Sequence, residues 1–157
     1  IRDCDGLGLG FFLKPARSDA PTIAHYAAAA GSRVVLEWIR DCLGLGLGFL
    51  KLGCNHGETI AHDAAKYGKC NVLEWIRDCD GLGLGFFLKP ARSDAPTIAH
   101  YAAAAGSRVV LEWIRDCLGL GLGFLKLGCN HGETIAHDAA KYGKCNVLEW
   151  IRDCDGL

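Results

Sequence analysis

Histidine, cysteine and glycine are the residues of this chain with types and spacing that could do chemistry. Four histidines each close the same tetrapeptide: Thr22-Ile-Ala-His25, Thr59-Ile-Ala-His62, Thr97-Ile-Ala-His100 and Thr134-Ile-Ala-His137. The steps between the threonines are 37, 38 and 37 residues. A catalytic histidine is needed once, in one cleft, beside a nucleophile and an orienting partner. Four equivalent copies, each one turn into a helix, point instead to scaffolding. No catalytic residue is expected.

The chain holds nine cysteines. Cys4, Cys42, Cys79, Cys117 and Cys154 form a ladder at equivalent positions. Stacked helices lie about 8–10 Å apart, whereas a disulfide needs Cα atoms within about 7 Å. Neighbouring rungs are therefore expected to stay unpaired, as small buried apolar residues. Free thiols fit a reducing compartment such as the cytoplasm. Cys54, His56 and His62 carry zinc-binding side chains. The alternate unit offers Arg17, Asp19 and His25 at the matching places, and a fourth ligand is missing. No metal or other cofactor is expected.

Four segments run Gly-Leu-Gly-Leu-Gly-Phe, at 6–11, 44–49, 81–86 and 119–124. A phosphate-cradling glycine loop needs a strand before it and a helix directly after it. Here a helix precedes, and roughly ten further residues separate the segment from the next helix. Strict alternation instead predicts an extended segment, with leucines on one face and bare backbone on the other. Such segments from successive units would lie side by side, with Phe11, Phe12, Phe49 and Leu50 seeking cover.

The elements that position these residues follow from self-similarity. Residues 1–75 recur unchanged as 76–150, and 151–157 begin a third copy. Each copy holds two related units, and periods of 20–50 residues indicate a solenoid, because one unit cannot bury its apolar face alone. In each unit a first helix starts at the capping threonine and ends at a glycine such as Gly31. Ile23, Ala24, Ala27 and Ala28 share one of its faces. A second helix, roughly Ser32 to Asp41, sets Val35, Trp38, Ile39 and Cys42 on one side, matched by Val72, Trp75, Ile76 and Cys79. Trp38, Trp75, Trp113 and Trp150 read as core residues. Composition agrees with a globular chain: 50% of residues are hydrophobic and 22% charged,. The net charge of −1 creates no field that favours nucleic acid,. No apolar run is long enough to span a bilayer.

The order Thr-Ile-Ala-His, Ala-Ala, Gly, then Val-Leu-Glu-Trp-Ile-Arg resembles the ankyrin repeat. Ile23 and Ala24 stand where that family has Pro-Leu, and the link between units is about four residues longer than its period of roughly 33 allows. The resemblance implies an all-α, helix-turn-helix repeat solenoid with extended Gly/Leu-rich loops. Its four units span approximately 3–40, 41–77, 78–115 and 116–152, with no capping repeats. It also implies that the four histidines hydrogen-bond the backbone of an adjacent loop. Partners would meet loop tips and the open side of the first helix. Those positions are Asn55, His56, Glu58, Lys66 and Tyr67, and again Asn130, His131, Glu133, Lys141 and Tyr142. The other unit offers Ser18, Asp19, Pro21, Ala29 and Ala30.

The function expected is a non-enzymatic scaffold that binds a protein partner or further copies of itself. The competing reading is a structural protein. An exactly repeated stack without caps can add copies head to tail, and heterologous contacts that do not close give filaments.

Overall fold

The computed structural model describes Gly10 and residues 20–41, 43, 45–54, 57–88, 95–129 and 132–157. Of the expected contact residues, Asn55, His56, Asn130 and His131 lie outside these, as do Ser18 and Asp19. Cys4, Cys42 and most of the first Gly-Leu segment also lie outside them. The described residues form eleven helices. Helices of the first kind are α1 (Ile23–Ala30), α4 (Ile60–Lys66), α7 (Ile98–Ala105) and α10 (Ile135–Lys141). Those of the second kind are α2 (Arg33–Asp41), α5 (Cys70–Asp78), α8 (Arg108–Asp116) and α11 (Cys145–Asp153). A third kind, one turn long, comprises α3 (Gly46–Leu50), α6 (Gly83–Phe87) and α9 (Gly121–Leu125).

The first helices begin where an extended threonine hands the chain to an alanine-rich run. The Thr22 amide donates to His25 Nδ1 at 3.2 Å, which satisfies one of the free N–H groups at the helix start,. The end of α1 is set by Gly31, whose φ of 79° lies in the left-handed region. There the Ser32 amide reaches back to the Ala27 carbonyl at 2.8 Å, and the Gly31 amide to Ala28 at 3.0 Å,. Alanines allow close approach: Ala24, Ala28, Ala61, Ala64, Ala65, Ala99 and Ala102 are fully buried.

In the second helices the buried stripe includes a leucine that the spacing argument passed over. Leu36 and Ile39 are buried in α2, while Val35 and Trp38 stay about 40% and 39% exposed. In α5 the stripe is Val72, Leu73, Trp75 and Ile76.

The Gly-Leu segments correct the sequence reading, because the described copies are helical rather than extended. Each short helix buries two adjacent apolar residues: Phe49 with Leu50, Phe86 with Phe87, and Phe124 with Leu125. A strand would send neighbours to opposite faces. A helical turn lets both reach the core, on top of the second helix that precedes it in the chain. At Gly81 the backbone meets a side chain rather than the glycine face of a neighbouring strand. A Cβ placed there would sit 2.5 Å from Leu47 Cδ1 of the preceding unit.

The molecule is all-helical with repeat-type packing. First and second helices pair as hairpins, α1 with α2, α4 with α5, α7 with α8 and α10 with α11. The first helices stack in chain order, α1 on α4, α4 on α7 and α7 on α10, and the second helices follow more loosely. One continuous core runs through the stack from Ala24 to Trp150. Among the described residues the only bridge pairings are the isolated ones Cys54–Glu58 and Cys129–Glu133. Among the described residues no helix is long and apolar enough to cross a membrane.

Candidate functional site

The stacking of α4, α7 and α10 opens a groove of about 520 Å3 along the first helices. Lys66, Tyr67, Tyr101, Ala104, Asp138 and Tyr142 are among the residues that line it. It brings Lys66 and Tyr67 of one expected contact set together with Tyr142 of the other, and adds Tyr101, which the sequence had not singled out. Lys66 Nζ lies 5.8 Å from the Tyr67 ring centroid, and Lys141 Nζ lies 5.7 Å from that of Tyr142. Both tyrosines are exposed. Each stands at the end of its helix, just before a glycine that turns the chain, so the ring projects from the rim.

Glu58 and Glu133 serve differently from the exposed tyrosines. Both are half-buried beside their turns. The Glu58 carboxylate accepts a hydrogen bond from the Tyr101 hydroxyl. Burial and this carboxylate raise the phenol's pKa well above its ordinary value. The Glu58 backbone carbonyl closes the turn by accepting from the Cys54 amide at 2.7 Å.

Two of the histidines, His25 and His100, tie units together. His25 Nε2 lies 3.2 Å from the Glu58 carbonyl, and His100 Nε2 lies 3.1 Å from the Glu133 carbonyl. Because the threonine amide donates to Nδ1 in each case, Nδ1 is an acceptor and the proton sits on Nε2,. The ring must then be neutral, and burial lowers the pKa of both histidines,. His62 is pushed down to about 4, chiefly by desolvation. The Pro96 carbonyl takes the place that Glu58 takes for His25, yet it does not meet hydrogen-bond geometry, and His62 Nε2 is buried without a partner. His137 is exposed and, among the described residues, keeps its hydrogen bonds to Thr134.

The chain matches no protein-family model and no curated protein.

The cysteines of the ladder are expected to be unpaired and buried; of those described, Cys79 is buried, Cys154 half-buried and Cys117 exposed. The seven described cysteines are free thiols. Cys54 does not group with His62, which turns its ring to the edge of Tyr101 with centroids 5.3 Å apart. It groups with His25 of the preceding unit and with Asp63, one ligand-type atom of each lying within 4.8 Å of the others. His100, Cys129 and Asp138 repeat the arrangement. Desolvation, aided by the Asp63 and Glu58 charges, raises the Cys54 thiol to about 11. Desolvation, aided by the Glu58 charge, lifts the Asp63 carboxyl to about 6. The signal available in the sequence was that Cys54 and Asp63 alternate together, with Arg17 and Tyr26 at the matching places of the other unit.

Proposed function

We propose that the chain is an ankyrin-like solenoid that acts as a non-enzymatic scaffold and holds a protein partner along the open side of its first helices. The observation that carries this reading is the groove that gathers Lys66, Tyr67, Tyr101 and Tyr142 from three successive units. Tyrosine combines a large rigid contact area with a hydrogen-bonding tip, which suits a recognition surface. The cross-unit bonds of His25 and His100 support the family resemblance, since they have the role that the resemblance implies.

The test compares the proteins retained by three immobilised forms of the chain. The set held by the unaltered chain should be lost on the Tyr67→Ala/Tyr142→Ala variant and kept by Arg33→Ala/Arg108→Ala, with the helical circular dichroism of all three unchanged. Equal retention by the tyrosine variant sinks the reading.

A second reading, head-to-tail stacking of copies, is favoured by one observation. The residues that α4 buries under the next unit, His62 and Ala65 among them, recur identically in α10 as His137 and Ala140, so the face that one unit offers its neighbour fits any further copy. Light scattering over a hundredfold concentration range decides it. A mass that climbs without plateau supports stacking, and a constant monomer mass removes it.

A further inference from the structure

The His25, Cys54 and Asp63 cluster is assembled from three elements of two units. His25 stands at the third position of α1. Cys54 sits at the mouth of the tight turn closed by its pairing with Glu58. Asp63 lies in the first turn of α4. His25 is 1% exposed and Cys54 4%. These side-chain types are those that zinc prefers, a borderline-soft ion served by imidazole, thiolate and carboxylate.

A second and independent observation marks the place. Asp63 Oδ2 is buried and has no hydrogen-bond partner, and the same holds for Asp138 Oδ2 in the matching cluster. A buried carboxylate oxygen without a donor is costly, and what satisfies it is a proton, a water or a cation. Here the carboxyl group lies beside a thiol and an imidazole, which together make a cation the fitting occupant.

We propose that His25, Cys54 and Asp63 bind one zinc-class divalent ion, and that His100, Cys129 and Asp138 bind a second. With Zn–N near 2.0 Å and Zn–S near 2.3 Å, tetrahedral ligand atoms are about 3.5 Å apart. The present spacing, within 4.8 Å, closes to that distance by small side-chain rotations. Binding releases the Cys54 proton to solvent, and Asp63 binds as the carboxylate. The imidazole must also present a lone pair. If Nε2 turns from the Glu58 carbonyl to the ion, the ring proton moves to Nδ1, where Thr22 Oγ1, 2.9 Å away, is placed to accept it and the Thr22 amide gives up Nδ1 as its acceptor,. The Glu58 carbonyl keeps the Cys54 amide as its donor. Three protein ligands leave the fourth position to water.

The interface between these two pairs of units cannot build such a site. Its matching positions are Arg92, by sequence, and Tyr101, which is committed to Glu58. The stoichiometry is therefore two ions for the four units, with one site at each interface that pairs a tetrapeptide histidine with the Cys and Asp of the following unit.

The probe is Co(II), added to the full chain after metal stripping and complete thiol reduction. Two equivalents should bind with a thiolate-to-cobalt charge-transfer band that Zn(II) displaces. The Cys54→Ser/Cys129→Ser variant should lose the band, each single variant about half of it, and Cys70→Ser/Cys145→Ser none. No thiolate band, or an unchanged band in Cys54→Ser/Cys129→Ser, overturns the proposal. If that variant loses its helical circular dichroism, Asp63→Asn/Asp138→Asn is measured in its place. It should bind Co(II) at least tenfold more weakly, and unchanged affinity overturns the proposal equally.

Discussion

The interface between α1–α2 and α4–α5 and the one between α4–α5 and α7–α8 are built from the same helix types, yet they are held by different forces. At the former, polar groups reach for backbone. His25 meets the Glu58 carbonyl at 3.2 Å, and Asn71 Nδ2 donates to the Gly31 carbonyl at 2.8 Å. The Arg40 guanidinium lies over the Trp75 ring. At the latter, aromatic rings do the joining. Tyr101 meets His62 edge to face, and Phe87 of α6, the short helix that follows α5, meets Trp113 of α8 with centroids 5.7 Å apart. The difference comes from a few alternating positions, Asp63 against Tyr101 and Asn71 against Val109. A shared helical frame thus fixes which faces meet, while a handful of residues decides whether the meeting is polar or aromatic.

The comparison breaks most sharply at Tyr101. Replacing it by Ala removes a half-buried ring and the hydroxyl that satisfies Glu58, and should lower stability by about 3 kcal/mol. The identical Tyr26 is 65% exposed, so Tyr26→Ala should change stability by no more than about 0.5 kcal/mol. Urea unfolding of the two variants measures both, and equal losses would refute the aromatic account of that interface.

Next comes the glycine pair. Gly81, with φ of 88°, packs against Leu47, whereas the matching Gly119, with φ of 74°, has open space at its Cβ position. Gly81→Ala should destabilise by about 2–3 kcal/mol, combining backbone strain with overpacking. For Gly119→Ala the backbone contribution alone is about 1 kcal/mol. A shared shift in melting temperature would mean that the Leu47 contact carries no weight.

The smallest contrast lies in the helix caps. Thr59 is buried between units and Thr134 is not. Thr59→Ala should lower stability by about 1–2 kcal/mol and Thr134→Ala by about 0.5 kcal/mol. Reversed order in thermal unfolding would show that burial does not strengthen the cap.

Much of this was legible from the chain. Threonine and histidine three residues apart announced the start of each first helix, and Gly31 the end of one. Both are local effects that act within a turn of backbone. The Gly-Leu segments misled because a run of five or six apolar residues fits two periods. Burial of the adjacent Phe49 and Leu50 on the neighbouring helix chose between them. The groove residues Lys66, Tyr67 and Tyr142 were found through the resemblance, whereas Tyr101 was missed because its contact with Glu58 crosses 43 residues. The clustering of His25 with Cys54 and Asp63 was hidden for the same reason: it exists only after two units have docked.

The exact 75-residue copy has a consequence for how the chain finds its fold. Helices α4 and α10 carry the same residues, so the seat that α1 offers to one fits the other equally well. Side chains cannot tell correct from incorrect registry. Only connectivity does. Ile60 is 37 residues from Ile23 and Ile135 is 112, and closing the longer loop is disfavoured by only about 1 kcal/mol. Misdocked forms that loop out a whole copy are therefore close in energy to the native start, and refolding should pass through a trapped population that a less uniform array would escape.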